Sequence, residues 1–378
     1  MKRIALLNTA HFPFDDRVYY HQAKALLAHN YQVFIISSKQ QYSDSVDGIY
    51  FECFDGENMS QTEKKNSIIA ILRNIKPDLI ICDSPLSVIS AFFYKRNKKT
   101  TIFYDITEWY PSKKNLNNKR GLKLVFGFAG MVIMSLIAGI ISNGFIFGEH
   151  YKSLPFKRLF PRKRNMILPY YPDKSYLTPQ NHRTEMNEFR LLYSGLLNRD
   201  KGIFHFIEVL RQLKTTIPDQ KFYVKIIGDF ASEKDKAELY NATTDFPLNI
   251  RIELEKSMPF DKYCHAIPNF DLYFDLRNSD FENMHCLPIK LFYYMACGRP
   301  VIFSQLKSIE KEFPDFNFGF LTDPTDAAGI ADKIAKYVYS PELYFSHSNN
   351  ALFLYQNKYN WNHFEPQFIS FINNELRP

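Results

Sequence analysis

Two doubly wound, Rossmann-like α/β domains in tandem are the architecture this sequence predicts. Three observations carry the prediction. Short apolar runs alternate with segments of helical period, which is the pattern of a parallel sheet with helices on both faces. A stretch with two prolines, Met166-Ile-Leu-Pro-Tyr-Tyr-Pro-Asp173, interrupts the alternation, which then starts again. The length of 378 residues suits two domains of ordinary size, and 46% apolar residues can fill two cores. The expected division is 1–168, 169–355 and a C-terminal helix, 356–378, that can cross back to the first domain.

In the first half, residues 3–8, 32–37, 79–82, 101–104 and 145–147 read as buried strands. Tyr19, Ala23, Leu26 and Leu27 fall on one face of a helix between the first two. Residues 67–73 and 88–94 read as further helices. In the second half, residues 190–193, 222–227, 250–254, 272–274 and 301–303 read as strands. Helices lie between them at 202–213, 259–265 and 288–296, and the tail from 344 to 376 is helical. Ligands of such sheets sit at the carboxyl ends of the strands, which in this arrangement would face a cleft between the domains.

The five cysteines are scattered and form no CxxC pair, which argues against a disulfide scaffold and a zinc site. His11, His21 and His265 show no ligand spacing, so no metal site is expected. Only four apolar residues follow Met1-Lys2-Arg3 before Asn8, too few for a signal peptide, so export is not expected.

The net charge of +7 is local. Residues 109–165 hold eleven basic residues (Lys113, Lys114, Lys119, Arg120, Lys123, Lys152, Lys157, Arg158, Arg162, Lys163 and Arg164) against Glu149 alone, leaving the rest of the chain at −3. Inside this segment, residues 124–141 carry no charge and reach the length of a membrane span. Strand-like runs on both sides argue against a span. The segment reads as a helix, partly core and partly facing an anionic membrane surface. The alternative is a buried helix with a solvated basic rim.

The chemistry-bearing residues lie after strands. Ser194-Gly-Leu-Leu-Asn-Arg-Asp-Lys-Gly202 follows a strand and opens a helix. Gly195 permits a tight turn, and Arg199 and Lys201 add charge suited to a diphosphate. Cys286-Leu-Pro-Ile-Lys-Leu-Phe-Tyr-Tyr-Met-Ala-Cys-Gly-Arg-Pro-Val-Ile302 places Pro288 in the first turn of a helix and Gly298 and Pro300 at its end. Arg277 lies just past a strand and can meet a phosphate, or be a surface arginine. Asp15, Asp16 and Arg17 follow the first strand, where a role in a ligand site and a helix N-cap role are equally open. Asp105 and Glu108 lie on the loop after another strand, with Trp109 able to stack on a ligand ring, touch lipid or equally be core.

The segment from Leu287 to Ile302 resembles the "LPxKLFEYMAxGxPVI" stretch of family 4 glycosyltransferases, which have the GT-B fold. Phe12-Pro-Phe-Asp-Asp-Arg-Val18, Tyr104-Asp-Ile-Thr-Glu-Trp-Tyr-Pro111, Leu192-Tyr-Ser-Gly195 with Lys201-Gly202, Phe318-Gly-Phe-Leu-Thr-Asp-Pro324 and Tyr359-Asn-Trp361 are similar to other stretches of that family. The resemblance implies retaining transfer of a sugar from a nucleoside-diphosphate sugar, used as co-substrate, with no tightly bound cofactor or metal. It implies a donor site at Gly195, Arg199, Lys201, Arg277, His285, Leu287, Pro288, Lys290 and Tyr293. Acceptor-side residues would be Asp15, Arg17, Asp105, Thr107 and Trp109, with Glu108 and Asp16 as catalytic candidates. A lipid-linked or growing glycan at the cytoplasmic membrane face, in surface polysaccharide assembly, is the implied acceptor and setting.

Three positions depart from the family pattern. Its paired glutamates fall on His285 and Tyr293, and a phenol cannot replace a carboxylate as a bidentate acceptor. Its loop histidine falls on Thr107, which cannot shuttle a proton near neutral pH. Its frequent arginine after Gly195 falls on Leu196. These departures support a second reading, a non-catalytic GT-B scaffold or regulatory partner of another transferase. The basic segment prompts a third, a nucleic-acid binder, which no recognised nucleic-acid fold supports.

Overall fold

The computed structural model describes residues 1–95, 99–116, 120–179, 187–244, 246 and 249–376. Of the basic residues singled out above, Lys119 and the side chains of Lys113 and Lys114 lie outside that description. The chain forms two compact units, residues 1–170 with 362–378, and residues 171–361.

The first unit is built on an eight-stranded sheet. Its strands are β1 (Arg3–Asn8), β2 (Gln32–Ser37), β3 (Lys39–Val46), β4 (Ile49–Asp55), β5 (Leu79–Cys82), β6 (Thr101–Ile106), β7 (Gly144–Phe147) and β8 (Arg164–Ile167). Their order is β3-β4-β2-β1-β5-β6-β7-β8, parallel except for the antiparallel β3–β4 pair. β1, β2 and β5 to β7 are short runs of Ile, Leu, Val and Phe, and the sheet buries them on both faces. Their apolar side chains form one core with residues from the flanking helices, among them Ile68, Leu72, Val88 and Ala138. β3 is different. Its sequence, KQQYSDSV, is almost wholly polar, and it lies exposed at the sheet edge, where polar side chains discourage edge-to-edge pairing.

The helices of this unit follow the strands. α1 runs as π-helix over Asp16–Ala23 and as α-helix over Lys24–Ala28. α2 (Gln61–Ile75) opens with a capping box between Ser60 and Glu63. α3 (Pro85–Lys95) packs against α5. α4 (Lys113–Leu116) is a single turn. α5 (Leu122–Ile141) is long and apolar enough to cross a membrane by length and composition. Only Ser135, Ala138 and Gly139 on it are buried. α6 is His150–Leu159.

The second unit holds a six-stranded, all-parallel sheet of order β11-β10-β9-β12-β13-β14. The strands are β9 (Glu188–Ser194), β10 (Lys221–Ile227), β11 (Ile250–Glu255), β12 (Leu272–Asp275), β13 (Val301–Ser304) and β14 (Gly319–Thr322). Helices α7 (Ile203–Thr216), α8 (Glu233–Thr243), α9 (Phe260–Ala266), α10 (Phe281–Met284), α11 (Ile289–Ala296), α12 (Lys307–Glu312), α13 (Ala327–Tyr339) and α14 (Pro341–Asn357) connect and cover them. α15 (Trp361–Leu376) starts at the end of this unit and runs into the first. The core packs Leu191, Tyr193, Phe206, Leu210, Val224, Phe274 and Ile302 between sheet and helices.

Candidate functional site

In both units the chemistry-bearing side chains gather at the carboxyl ends of the central strands, where a doubly wound sheet opens to ligands. The second unit holds the more strongly charged of the two groups.

Asp275 ends β12, buried among apolar neighbours. Arg277 turns back on it in a two-pronged pair, Nε to Oδ1 at 2.8 Å and Nη2 to Oδ2 at 2.6 Å. Lys290, in the first turn of α11, brings Nζ within 3.1 Å of Asp275 Oδ2 and donates to the Ser194 carbonyl at the end of β9. Burial alone would raise the Asp275 pKa. The two cations outweigh burial and hold the carboxyl well below the usual range. Burial draws the Lys290 ammonium below the ordinary lysine value, and Arg277 and Lys201 push the same way against Asp275. Lys201 is thus close enough to be felt, and it donates to Asn283 Oδ1 at 2.8 Å. Two cations therefore meet on one buried carboxylate, and Lys201 lies beside them, 3.7 Å from half-exposed Asp200 and bonded to Asn283, which itself donates to Asp280.

The loop carrying Lys201 is held from below. Tyr193 on β9 donates its phenol to the Lys201 carbonyl. Asn198 Oδ1 accepts from the Lys201 amide at 2.8 Å. Gly202, with φ +85°, starts α7, and a Cβ there would lie 1.7 Å from the Leu276 carbonyl oxygen. No other residue fits this crossing of the β9 and β12 loops. Gly195 has φ +123°, and its Cα faces Lys290 Nζ. The surrounding side chains are fixed by a buried hydroxyl chain, Tyr263 to Ser194 to Tyr294. Free amides at the start of α11 after Pro288, with Lys290 and Lys201 beside them, form a site for a diphosphate.

The other residues expected at this site lie as follows. Arg199, expected to add charge beside Lys201, instead pairs with Glu238 on α8 and stacks on Phe204, 4.6 Å from its ring centre. A carboxylate and an aromatic face within reach turn it from the cluster. Leu287 precedes Pro288, which caps α11. His285 ends α10, its Nδ1 bonded at 2.8 Å to the Phe281 carbonyl. Tyr293 is buried, its ring edge-on to Phe260.

In the first unit, Arg17 and Asp105 meet in a buried two-pronged pair at 2.9 and 2.8 Å, Gln22 adds a bond to Asp105 at 2.8 Å, and Arg17 Nη1 donates to the Leu168 carbonyl. The Arg17 guanidinium also lies 4.5 Å over the Tyr170 ring. The pair is thus engaged in joining the β1 and β6 loops. Asp15 caps α1, accepting from the amides of Arg17 and Val18. Asp16 accepts from the Arg17 amide at 2.7 Å. Thr107 is buried and its hydroxyl meets the Tyr170 phenol. Glu108 is exposed on the same loop, and Trp109 is half-buried beside it.

Sequence reasoning weighed His11, on the loop after β1, only as a metal ligand and missed its ion pair. Its Nδ1 is 2.9 Å from Asp15 Oδ2. Burial would lower the imidazole pKa, but Asp15, with Asp83 and Glu108 further off, raises it to about 9. Asp83, at the end of β5, accepts from the amides of Thr9 and Ala10 at 2.8 Å each and so fixes the His11 loop. The signal was present: His11 and Asp15 are spaced i, i+4, and Asp83 follows a buried strand.

No cluster of His, Cys, Asp or Glu that could hold a metal occurs among the described residues. The arrangement offers anion binding in one unit and a His11–Asp15 ion pair near Asp83 and Glu108 in the other.

Residues 177–352 match the model of the group 1 glycosyl transferases, and residues 3–122 match that of the glycosyl transferase 4-like proteins. Among solved structures, sucrose-phosphate synthase from Thermosynechococcus elongatus matches with a TM-score of 0.73 at 14% identity, covering 99% of each chain. Anabaena Alr3699/HepE in complex with UDP-glucose matches with a TM-score of 0.74 at 14% identity, over 99% of this chain and 100% of that one. WaaG, a glycosyltransferase of lipopolysaccharide biosynthesis, matches with a TM-score of 0.72 at 13% identity, over 98% and 99%. No curated protein matches the chain significantly in sequence. Two glycosyltransferase models, one over β1 to β6 and one over β9 to β14, and full-length likeness to GT-B structures make the chain a member of the group 1, family 4-like glycosyltransferases with the GT-B fold.

Proposed function

We propose that the protein moves a sugar, with retention of configuration, from a UDP-sugar to a lipid-linked glycan acceptor at the cytoplasmic face of a membrane, in assembly of a surface polysaccharide. The observation that carries the donor half is the cation cluster of Arg277 and Lys290 on buried Asp275, with Lys201 beside it on Asn283. A diphosphate placed there meets an excess of positive charge, three cations against Asp275 and Asp200. That charge stabilises the diphosphate most as the bond to the anomeric carbon breaks and its negative charge grows. UDP or a UDP-sugar is bound in the structures of the Anabaena protein, which supports the choice of base. The acceptor hydroxyl oxygen forms the new bond to the anomeric carbon as the bond to the diphosphate breaks, and the hydroxyl proton passes to the departing diphosphate.

The membrane half rests on α5. Leu122, Val125, Phe126, Phe128, Ile133 and Ile140 are each more than half exposed. An apolar surface of this size on one helix marks an interaction site. Arg120, Lys123, Arg158 and Arg162 are exposed around it, which suits an anionic leaflet. Not all the basic residues serve this way. Lys163 donates to the carbonyls of Gly139, Ile140 and Ser142 and so caps the end of α5. Lys152 is buried against Glu149 and the Thr107 carbonyl.

The test is incubation of the protein with UDP-[14C]glucose and other labelled UDP-sugars in the presence of membrane lipid extract. Label entering the organic-soluble fraction, dependent on Lys201, is the expected result. Label that stays with the nucleotide for every UDP-sugar refutes the reading and favours the non-catalytic one.

A further inference from the structure

A cavity of about 200 Å³ lies in the first unit between the β6 loop and helices α5 and α6. Its walls include Val132 and Leu136 on α5, Phe156 and Leu159 on α6, and Glu108 and Trp109 on the loop. Nothing in the transfer chemistry above uses it. The walls are overwhelmingly apolar, so water has few partners inside. Its position is informative. Val132 and Leu136 line it, while the next residues along α5, Ile133 and Ile137, are exposed. The cavity therefore adjoins the unpartnered apolar face of α5 on one side and the Glu108 loop on the other. Lys157 and Arg158 on α6 directly follow the lining residue Phe156 and offer charge for an anionic head.

We infer that this cavity takes the hydrocarbon tail of a phosphate-bearing lipid acceptor, drawn from the membrane along α5 so that its polar head arrives at the Glu108 loop. The inference rests on the membrane-acceptor reading above and names the part of the acceptor that the protein grips. The cavity has a definite capacity. A cavity of 150 Å³ accommodates benzene, so 200 Å³ accommodates about eight carbons of a chain. Tail length beyond that remains on α5 or in the bilayer.

The chain's own tryptophans supply the assay. There are two, Trp109 at the cavity and Trp361 buried in the second unit. A terminally brominated alkyl phosphate, titrated below its micelle concentration, is expected to quench emission saturably, and Trp109→Phe is expected to abolish the quenching. Across hexyl to dodecyl phosphates, affinity is expected to rise about fourfold per methylene and to flatten near eight carbons. Val132→Phe, which fills the cavity, is expected to weaken binding at least tenfold. Leu159 is largely exposed, so Leu159→Asp at the rim spares the fold and is expected to do the same. Ile133→Ser on the outer face is expected to leave quenching unchanged while reducing adsorption to anionic vesicles. Inorganic phosphate alone is expected to compete weakly.

Quenching that never saturates, or that persists equally in Val132→Phe and Leu159→Asp at wild-type melting temperature, overturns the inference. Donor binding is read separately. A melting shift with UDP-glucose but no saturable quenching defeats the cavity inference alone, whereas quenching without any donor shift defeats the transferase reading.

Discussion

Replacing Lys290 by Met should remove most of the protein's affinity for UDP while leaving the second unit folded. The reasoning is local. Lys290 Nζ is 3.1 Å from Asp275 and also donates to the Ser194 carbonyl, with its side chain about a fifth exposed, so it can still reach a bound anion. Loss of a hydrogen bond to a charged group costs ~1.5–3 kcal/mol, which is a weakening of about 10- to 150-fold. Folding should suffer little, because Asp275 keeps both bonds from Arg277, at 2.8 and 2.6 Å. The variant leaves a neutral buried pair where the wild type has an excess cation. Titration calorimetry with UDP measures the first effect and thermal melting the second. The pH dependence is a further check. Burial holds the Lys290 pKa below the ordinary lysine value. UDP affinity should therefore fall as pH rises at a lower pH than for an exposed lysine, and that fall should be absent in Lys290→Met. Methionine binding UDP as tightly as the wild type, in a folded protein, would refute the assignment of this cluster to the diphosphate.

Three further outcomes follow from the geometry. His11 has a folded pKa of about 9 against an ordinary 6.5, held up by Asp15; its contribution to stability is full below about pH 6.5 and lost as pH rises through 9. His11→Asn should flatten the stability-versus-pH curve in that window, by an amount on the order of 3 kcal/mol at most, measured by denaturant titration at pH 6 and 9.5. Arg17→Met should cost ~3–5 kcal/mol by stranding buried Asp105, and adding Asp105→Leu should restore much of it, a coupling read from a double-mutant cycle. Gly202→Ala should lower the melting temperature and weaken UDP together, because φ is +85° and the added Cβ would lie 1.7 Å from the Leu276 carbonyl oxygen; a backbone clash of that kind costs at least ~1–3 kcal/mol. An alanine variant with wild-type melting would contradict the account of the loop.

Much of this fold was legible in the sequence because parallel strands buried on both faces leave short apolar runs, as in Leu79–Cys82 and Val301–Ser304. β3 escaped because its edge position gives it a polar sequence with nothing to bury. The candidate site was legible only by position, as residues just past strands. Its pairings were not. Arg17 and Asp105 are 88 residues apart, and only the adjacency of β1 and β6 to β5 brings them together. Arg199 and Lys201 look alike in sequence, but Glu238 on a later helix claims the first. The most informative missed signal was Asp275, a lone carboxylate ending the apolar strand LYFD two residues before an arginine. A buried charge in such a run requires a partner, and that requirement leads to Arg277 and Lys290.

The most direct test of the central claim is the melting of the second unit in a panel of UDP-, GDP- and dTDP-sugars, with Lys201→Ala beside the wild type. A ligand at one hundred times its dissociation constant stabilises by ~2.7 kcal/mol, which a melting curve resolves. The account predicts a shift with UDP-sugars that Lys201→Ala abolishes. No shift with any nucleotide-sugar, in a protein that melts cooperatively, would contradict it.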